Sequence, residues 1–141
     1  VATNIFVNLP VKDLDRAKAF FSKLGFGFNP QFTDQNAACL VISEDIYAML
    51  LKEDFFKQFT AKPIADAQKS TEAIISLSSE SRQKVDELAD KAIAAGGAST
   101  RPADDMGWMY TRSFQDLDGH QWEVMWMDPS RIPIPQQQPP Q

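Results

Sequence analysis

Few side chains in this sequence could do chemistry, and their counts constrain it as much as their positions. Its 141 residues contain one histidine, His120, and one cysteine, Cys39. A lone cysteine excludes an intramolecular disulfide and a multi-cysteine zinc site, and a lone histidine excludes any single-chain site that needs two, an iron site with two histidines included. Cys39 stands between Ala38 and Leu40 with no histidine partner assignable, which predicts a buried, inert thiol rather than a nucleophile. There is no Gly-x-Ser-x-Gly, phosphate loop or dinucleotide fingerprint, and Gly25-Phe26-Gly27 reads as a helix stop. Two groups remain. One is the closing segment Asp116-Leu117-Asp118-Gly119-His120-Gln121-Trp122-Glu123-Val124. The other is Trp108, Tyr110 and Arg112, which share one strand parity and offer stacking surfaces and a cation to an anionic or aromatic ligand; equally, the aromatics are core and Arg112 a surface charge. Asn8, beside Phe6, is either a group that orients a ligand carbonyl or a cross-strand amide.

These residues need elements to hold them, and the apolar periodicity supplies two similar sets. Asn4 to Val11 alternates with the period of a half-buried strand. Asp13 is placed as an N-cap for a helix carrying Leu14, Ala17, Phe20, Phe21 and Leu24, stopped at Gly25. Three apolar stretches follow, Phe26 to Phe28, Ala37 to Ser43 and Ile46 to Leu51, separated by turn residues. The same order then repeats: a strand at Glu72 to Leu77, and a helix capped by Ser81 with Val85, Leu88, Ala89, Ala92 and Ala95 on one stripe. After it come a weak strand at Ala98 to Pro102 and better ones at Met109 to Gln115 and Gln121 to Met127. Each unit reads βαβββ. The expected class is α+β, one domain over residues 1–131, with module one at 4–52, a connector at 53–71 that carries a short apolar helix near Phe55, Phe56 and Phe59, and module two at 72–128. A Pro/Gln-rich tail spans 132–141.

Composition narrows the class of partner. With 43% hydrophobic and 23% charged residues, and no apolar run near membrane-spanning length, the chain is neither a membrane protein nor a disordered one by expectation. A formal charge of -5 without a basic patch argues against nucleic acid or anionic lipid. No secretory signal is visible at Val1 to Asn4, so the expected address is cytoplasmic.

Two βαβββ units closed by Asp116, Asp118, Gly119, His120, Trp122, Glu123 and Val124 resemble the vicinal oxygen chelate superfamily, which includes glyoxalase I, extradiol dioxygenases, fosfomycin resistance enzymes and bleomycin resistance proteins. The resemblance covers residues 4 to 128 and is greatest to the bacterial glyoxalase-like branch. It implies curved mixed sheets around a cavity, helices on the convex faces and metal ligands on the first and last strands of each module. Strand parity is then expected to put Ile5, Val7, Leu9, Tyr47, Met49, Leu51, Ala73, Ile75, Leu77, Trp122, Val124 and Trp126 under helices. Phe6, Asn8, Ala48, Leu50, Glu72, Ile74, Ser76, Gln121, Glu123 and Met125 would line the cavity.

The family's four ligand positions fall on Phe6, Leu50, Glu72 and Glu123, of which Glu72 and Glu123 alone can bind a metal. His120 has the opposite parity to Glu123 and is expected to donate to backbone carbonyls. Two functions follow from the resemblance. One is a small-molecule binding protein with a degenerate metal site, in which Phe6, Asn8, Leu50, Trp108, Tyr110 and Arg112 hold an aromatic or amphipathic ligand. The other is a lyase or isomerase of the lactoylglutathione lyase type, in which Zn2+, Ni2+, Mn2+ or Fe2+ held near Glu72 and Glu123 stabilises an enediolate and Glu123 moves the proton. The superfamily's habit of pairing modules, with the connector phenylalanines, leads to the expectation of a homodimer.

Overall fold

The computed structural model describes residues 3–133, so the proline-rich tail lies outside the described residues from position 134 onward. The first module runs β1 (Ile5–Val11), α1 (Leu14–Lys23), β2 (Gly27–Asn29), β3 (Ala37–Ser43) and β4 (Ile46–Lys52). The second runs β5 (Ile74–Ser78), α3 (Arg82–Ala94), β6 (Ala98–Asp105), β7 (Met109–Gln115) and β8 (Gln121–Met127). Between them the connector holds α2 (Glu53–Phe56) and a one-turn 3-10 helix at Lys57–Phe59. Each module forms a four-stranded mixed sheet, in the orders β1-β4-β3-β2 and β5-β8-β7-β6, so the duplication read from the sequence is a duplication of topology.

Local chemistry explains the helix ends. The Asp13 carboxylate accepts from the Arg16 N–H at 3.1 Å and the Ser81 hydroxyl from the Lys84 N–H at 3.1 Å, each satisfying a donor that the first turn leaves free. Gly25, at φ +101°, ends α1 in a conformation that any Cβ would strain. β6 is longer than its composition suggests, continuing through Pro102 to Asp105. It is an edge strand, where a missing N–H is tolerated, and its pairing with β7 shifts register between Ser99 and Arg101 and again between Arg101 and Asp104.

The helical stripes both go inward. Leu14, Ala17, Phe20, Phe21 and Leu24 of α1 and Val85, Ala89 and Ala92 of α3 are buried, nearly all of them in one core shared by the two modules. In this core α1 reaches across. Phe21 meets Trp122 at 5.3 Å between ring centroids and Phe20 meets Phe114 at 6.5 Å, so the first helix packs on the second sheet as well as its own. The helix-covered faces therefore meet in the interior. The other face of each sheet, here the open face, carries exposed apolar side chains such as Phe6 and Ile74.

Candidate functional site on the open faces

Glu123 stands on the open face of the second sheet, with Trp122 and Val124 buried on the opposite side. This is the parity expected of β8. Cross-strand register puts Ser76 of β5 and Ser113 of β7 directly beside it. The Ser76 hydroxyl donates to Glu123 Oε2 at 2.9 Å, and the Ser113 hydroxyl lies 3.5 Å from Oε1. The Arg101 guanidinium, on the edge strand, lies 3.7 Å from Oε1 and 3.8 Å from Asp104. Glu123 is thus a carboxylate held by two hydroxyls and a cation, with 20% of its side chain exposed.

On the open face of the first sheet, Phe6 stacks on Tyr47 with centroids 4.8 Å apart and planes 13° from parallel. Asn8 pairs with Met49 two residues further along each strand, and its amide donates to the Phe6 carbonyl at 3.3 Å.

Several expected placements are corrected. Leu50 is on the helix-covered face, together with Ala48, and both are fully buried in the core. The parallel register explains it, because Ala48 and Leu50 pair with Val7 and Leu9 and must share their face, which turns Tyr47 and Met49 outward instead. β4 is apolar on both parities, so alternation within the strand could not decide between them.

Tyr110 and Arg112 likewise belong to the helix side, as the β7–β8 partners of Trp126 and Val124. Their polar ends reach α3: the Tyr110 hydroxyl donates to Asp86 at 2.7 Å, and Arg112 donates to Asp86 at 2.8 Å and Asp90 at 3.0 Å. The Tyr110 hydroxyl first, and then Arg112, hold the Asp86 carboxyl below the ordinary carboxylate range. The hairpin itself carried the signal, since residues equidistant from its turn face each other and Arg112 is as far from the turn as Val124. Trp108 stands half-buried ahead of β7, its carbonyl accepting from the Asp128 N–H at 2.7 Å.

Glu72 does not join Glu123. It lies in a bend before β5 and is exposed, four residues short of Ser76, the actual neighbour of Glu123. At the rise of an extended chain that is about 13 Å. His120 is engaged elsewhere, its Nε2 lying 2.7 Å from the Pro10 carbonyl oxygen. Cys39 is fully buried, and burial pushes its thiol pKa up, as an inert thiol requires.

The residues that sequence reasoning missed are Arg101, Ser113, Tyr47 and Met49. The first is hidden in a strand of weak propensity, and the others become visible only once register is known.

A divalent metal, which the superfamily implies, does not fit this donor set. Among the described residues no three His, Cys, Asp or Glu side chains converge. Of the four aligned ligand positions, Phe6 and Leu50 are apolar, Glu72 is remote, and Glu123 has a guanidinium beside it that would repel a cation.

The fold is shared with several solved structures. A hypothetical protein from S. aureus is 26% identical, with a TM-score of 0.76 over 89% of this chain and 94% of that one. A glyoxalase/bleomycin resistance protein/dioxygenase family enzyme from Burkholderia phytofirmans is 16% identical, with a TM-score of 0.73 over 89% and 99% of the two chains. The fosfomycin resistance protein FosX from Mesorhizobium loti is 14% identical, with a TM-score of 0.66 over 92% and 96%. Comparison with curated protein sequences gives no significant match. Residues 3–43 match the bleomycin resistance protein-like N-terminal family. Paired βαβββ topology and these comparisons show that the chain has the fold of the glyoxalase/bleomycin resistance structures, with an N-terminal segment similar to the bleomycin resistance protein-like family.

Proposed function

We propose that this chain is a metal-independent small-molecule binding protein of the glyoxalase/bleomycin resistance type, with its ligand on the open sheet faces. The observation that carries the reading is the environment of Glu123: two serine hydroxyls and Arg101, with no second carboxylate or imidazole among its described hydrogen-bond and ion-pair partners. Two hydroxyls are weak ligands for a divalent transition ion, so Glu123 alone gains little over the hydrated ion. Phe6 stacked on Tyr47 supplies a flat apolar surface, and Asn8 has amide capacity left for a ligand carbonyl or hydroxyl. The ligand class this favours is aromatic or amphipathic. If two copies bring the first sheet of one against the second sheet of the other, the added residues are Phe6, Asn8, Tyr47 and Met49, and they bring no second carboxylate or imidazole.

Elemental mass spectrometry on protein purified without chelator and then dialysed tests this directly. We expect well under one divalent transition metal per chain, unchanged in Glu123→Gln. A stoichiometric metal lost in that variant would overturn the reading and favour the lyase or isomerase instead.

A further inference from the structure

Glu72, left apart from Glu123, belongs to another concavity. A cavity of about 500 Å3 lies between the connector and the strands β1 and β5, within the size range of small-molecule pockets. Val7, Leu9, Ile64 and Ile75 line it and are half-buried, whereas Lys62 and Glu72, also in its lining, are exposed. The cavity thus combines apolar side chains with polar ones such as Asn8 and His120, and its exposed lining carries one cation and one anion. Among the described residues neither charge is spent on an ion pair.

One wall is built in advance. The Gln68 amide of the connector donates to the Leu117 carbonyl at 3.1 Å, and the backbone at Ala67 and Gln68 lies so close to Gly119 that a Cβ there would approach it to 2.8 Å. A wall fixed in place without ligand spares the ligand the entropy of ordering it.

We propose that this cavity is a binding site for a small zwitterion with an apolar side chain, such as an aromatic α-amino acid. Its carboxylate goes to Lys62, its ammonium to Glu72, and its side chain against Val7, Leu9, Ile64 and Ile75. A wholly apolar ligand would leave both charges without a partner, and a simple anion or cation would satisfy one while facing a like charge in the other. A zwitterion matches both. Of the residues assigned to the open faces, Asn8 also borders this cavity, whereas Phe6, Tyr47, Ser76 and Glu123 take no part in its lining.

Amide-resolved NMR of the full chain, titrated with L-phenylalanine, N-acetyl-L-phenylalanine and L-phenylalaninamide, tests the site and its chemistry together. We expect saturable shifts centred on Val7, Ile64, Ile75 and Gln121 with the free amino acid. Each blocked compound should bind about tenfold more weakly or worse, the usual scale for losing a charged hydrogen bond. Glu72→Gln should cancel the penalty of acetylation and Lys62→Gln that of amidation, because each removes the charge that the blocked group would have met. Ala73→Phe, which fills the cavity from an exposed wall position, should abolish binding; the two rim variants decide the matter if it does not fold. Phe6→Ala and Glu123→Gln should leave the saturable shifts at Val7, Ile64 and Ile75 in place with the same midpoint, so failure here is distinguishable from failure of the open-face reading. The proposal is overturned by absence of saturable shifts, by equal binding of the three compounds, by shifts centred on Phe6 or Glu123, or by binding that survives in a folded Ala73→Phe protein.

Discussion

Asp116, in the closing segment, is 4% exposed and is the acceptor around which the turn is built. One carboxylate oxygen accepts from the Asp118 and His120 N–H groups at 3.0 Å each, and the other accepts from the Trp122 indole N–H at 3.0 Å. Burial pushes this carboxyl above the ordinary range, while His120 and the Trp122 N–H pull it back. Asp118 in turn accepts from the Lys12 N–H at 2.9 Å, tying the turn to the first module. Most of the motif is therefore scaffold, and Glu123 alone presents a charge to the open face. Trp122→Phe keeps an aromatic ring in the core and removes the donor, leaving a buried carboxylate oxygen short of a partner. We expect a loss of about 2–3 kcal/mol in chemical denaturation. A loss below about 0.5 kcal/mol would show that Asp116 finds another donor.

At the scale of elements, the capped and stopped helices are legible in the sequence, and so are β7 and β8, because each is specified by a local pattern. Sheet faces are legible only where one parity is polar. On β8, Glu123 between Trp122 and Val124 gives the answer; on β4, Tyr47, Ala48, Met49 and Leu50 give none, and pairing with β1 decides it. The connector is legible as a link, yet its fit against the β7–β8 turn is not. That fit depends on Gly119, which has φ +91° and no room for a side chain beside Ala67. Gly119→Ala should cost about 2 kcal/mol or more through strain and contact, and should raise hydrogen exchange in residues 63–70 before it does so in the core. Uniform exchange across the chain in this variant would mean that the connector is not separately held.

Across the whole molecule, the helix faces are spent on one another and the open faces are not. Phe6 and Ile74 are 48% and 50% exposed on those faces, and Phe59 of the connector is 68% exposed, its ring edge-on to Phe55. Exposed apolar side chains of this kind favour association. We expect a homodimer that covers them, and sedimentation at micromolar concentration should read twice the chain mass. In that assay Phe6→Asp should shift the population towards monomer, and a wild-type monomer would count against the expectation. Among the described residues no helix is long and apolar enough to cross a membrane.

The sequence by itself determined the duplicated βαβββ order, the inward helix stripes, the orientation of Glu123 and the burial of Cys39. Each depends on neighbours a few residues away, through period, caps and turns. Only the tertiary structure decided that Leu50 faces the helices, that the polar ends of Tyr110 and Arg112 reach α3, that Arg101 reaches Glu123, and that Glu72 lines a separate cavity. These follow from register between strands and from the path of the connector, which bring together residues far apart in the chain. Where a strand is apolar on both faces, or a long polar side chain can be satisfied by a helix, alternation within one segment carries no information about which neighbour it will meet.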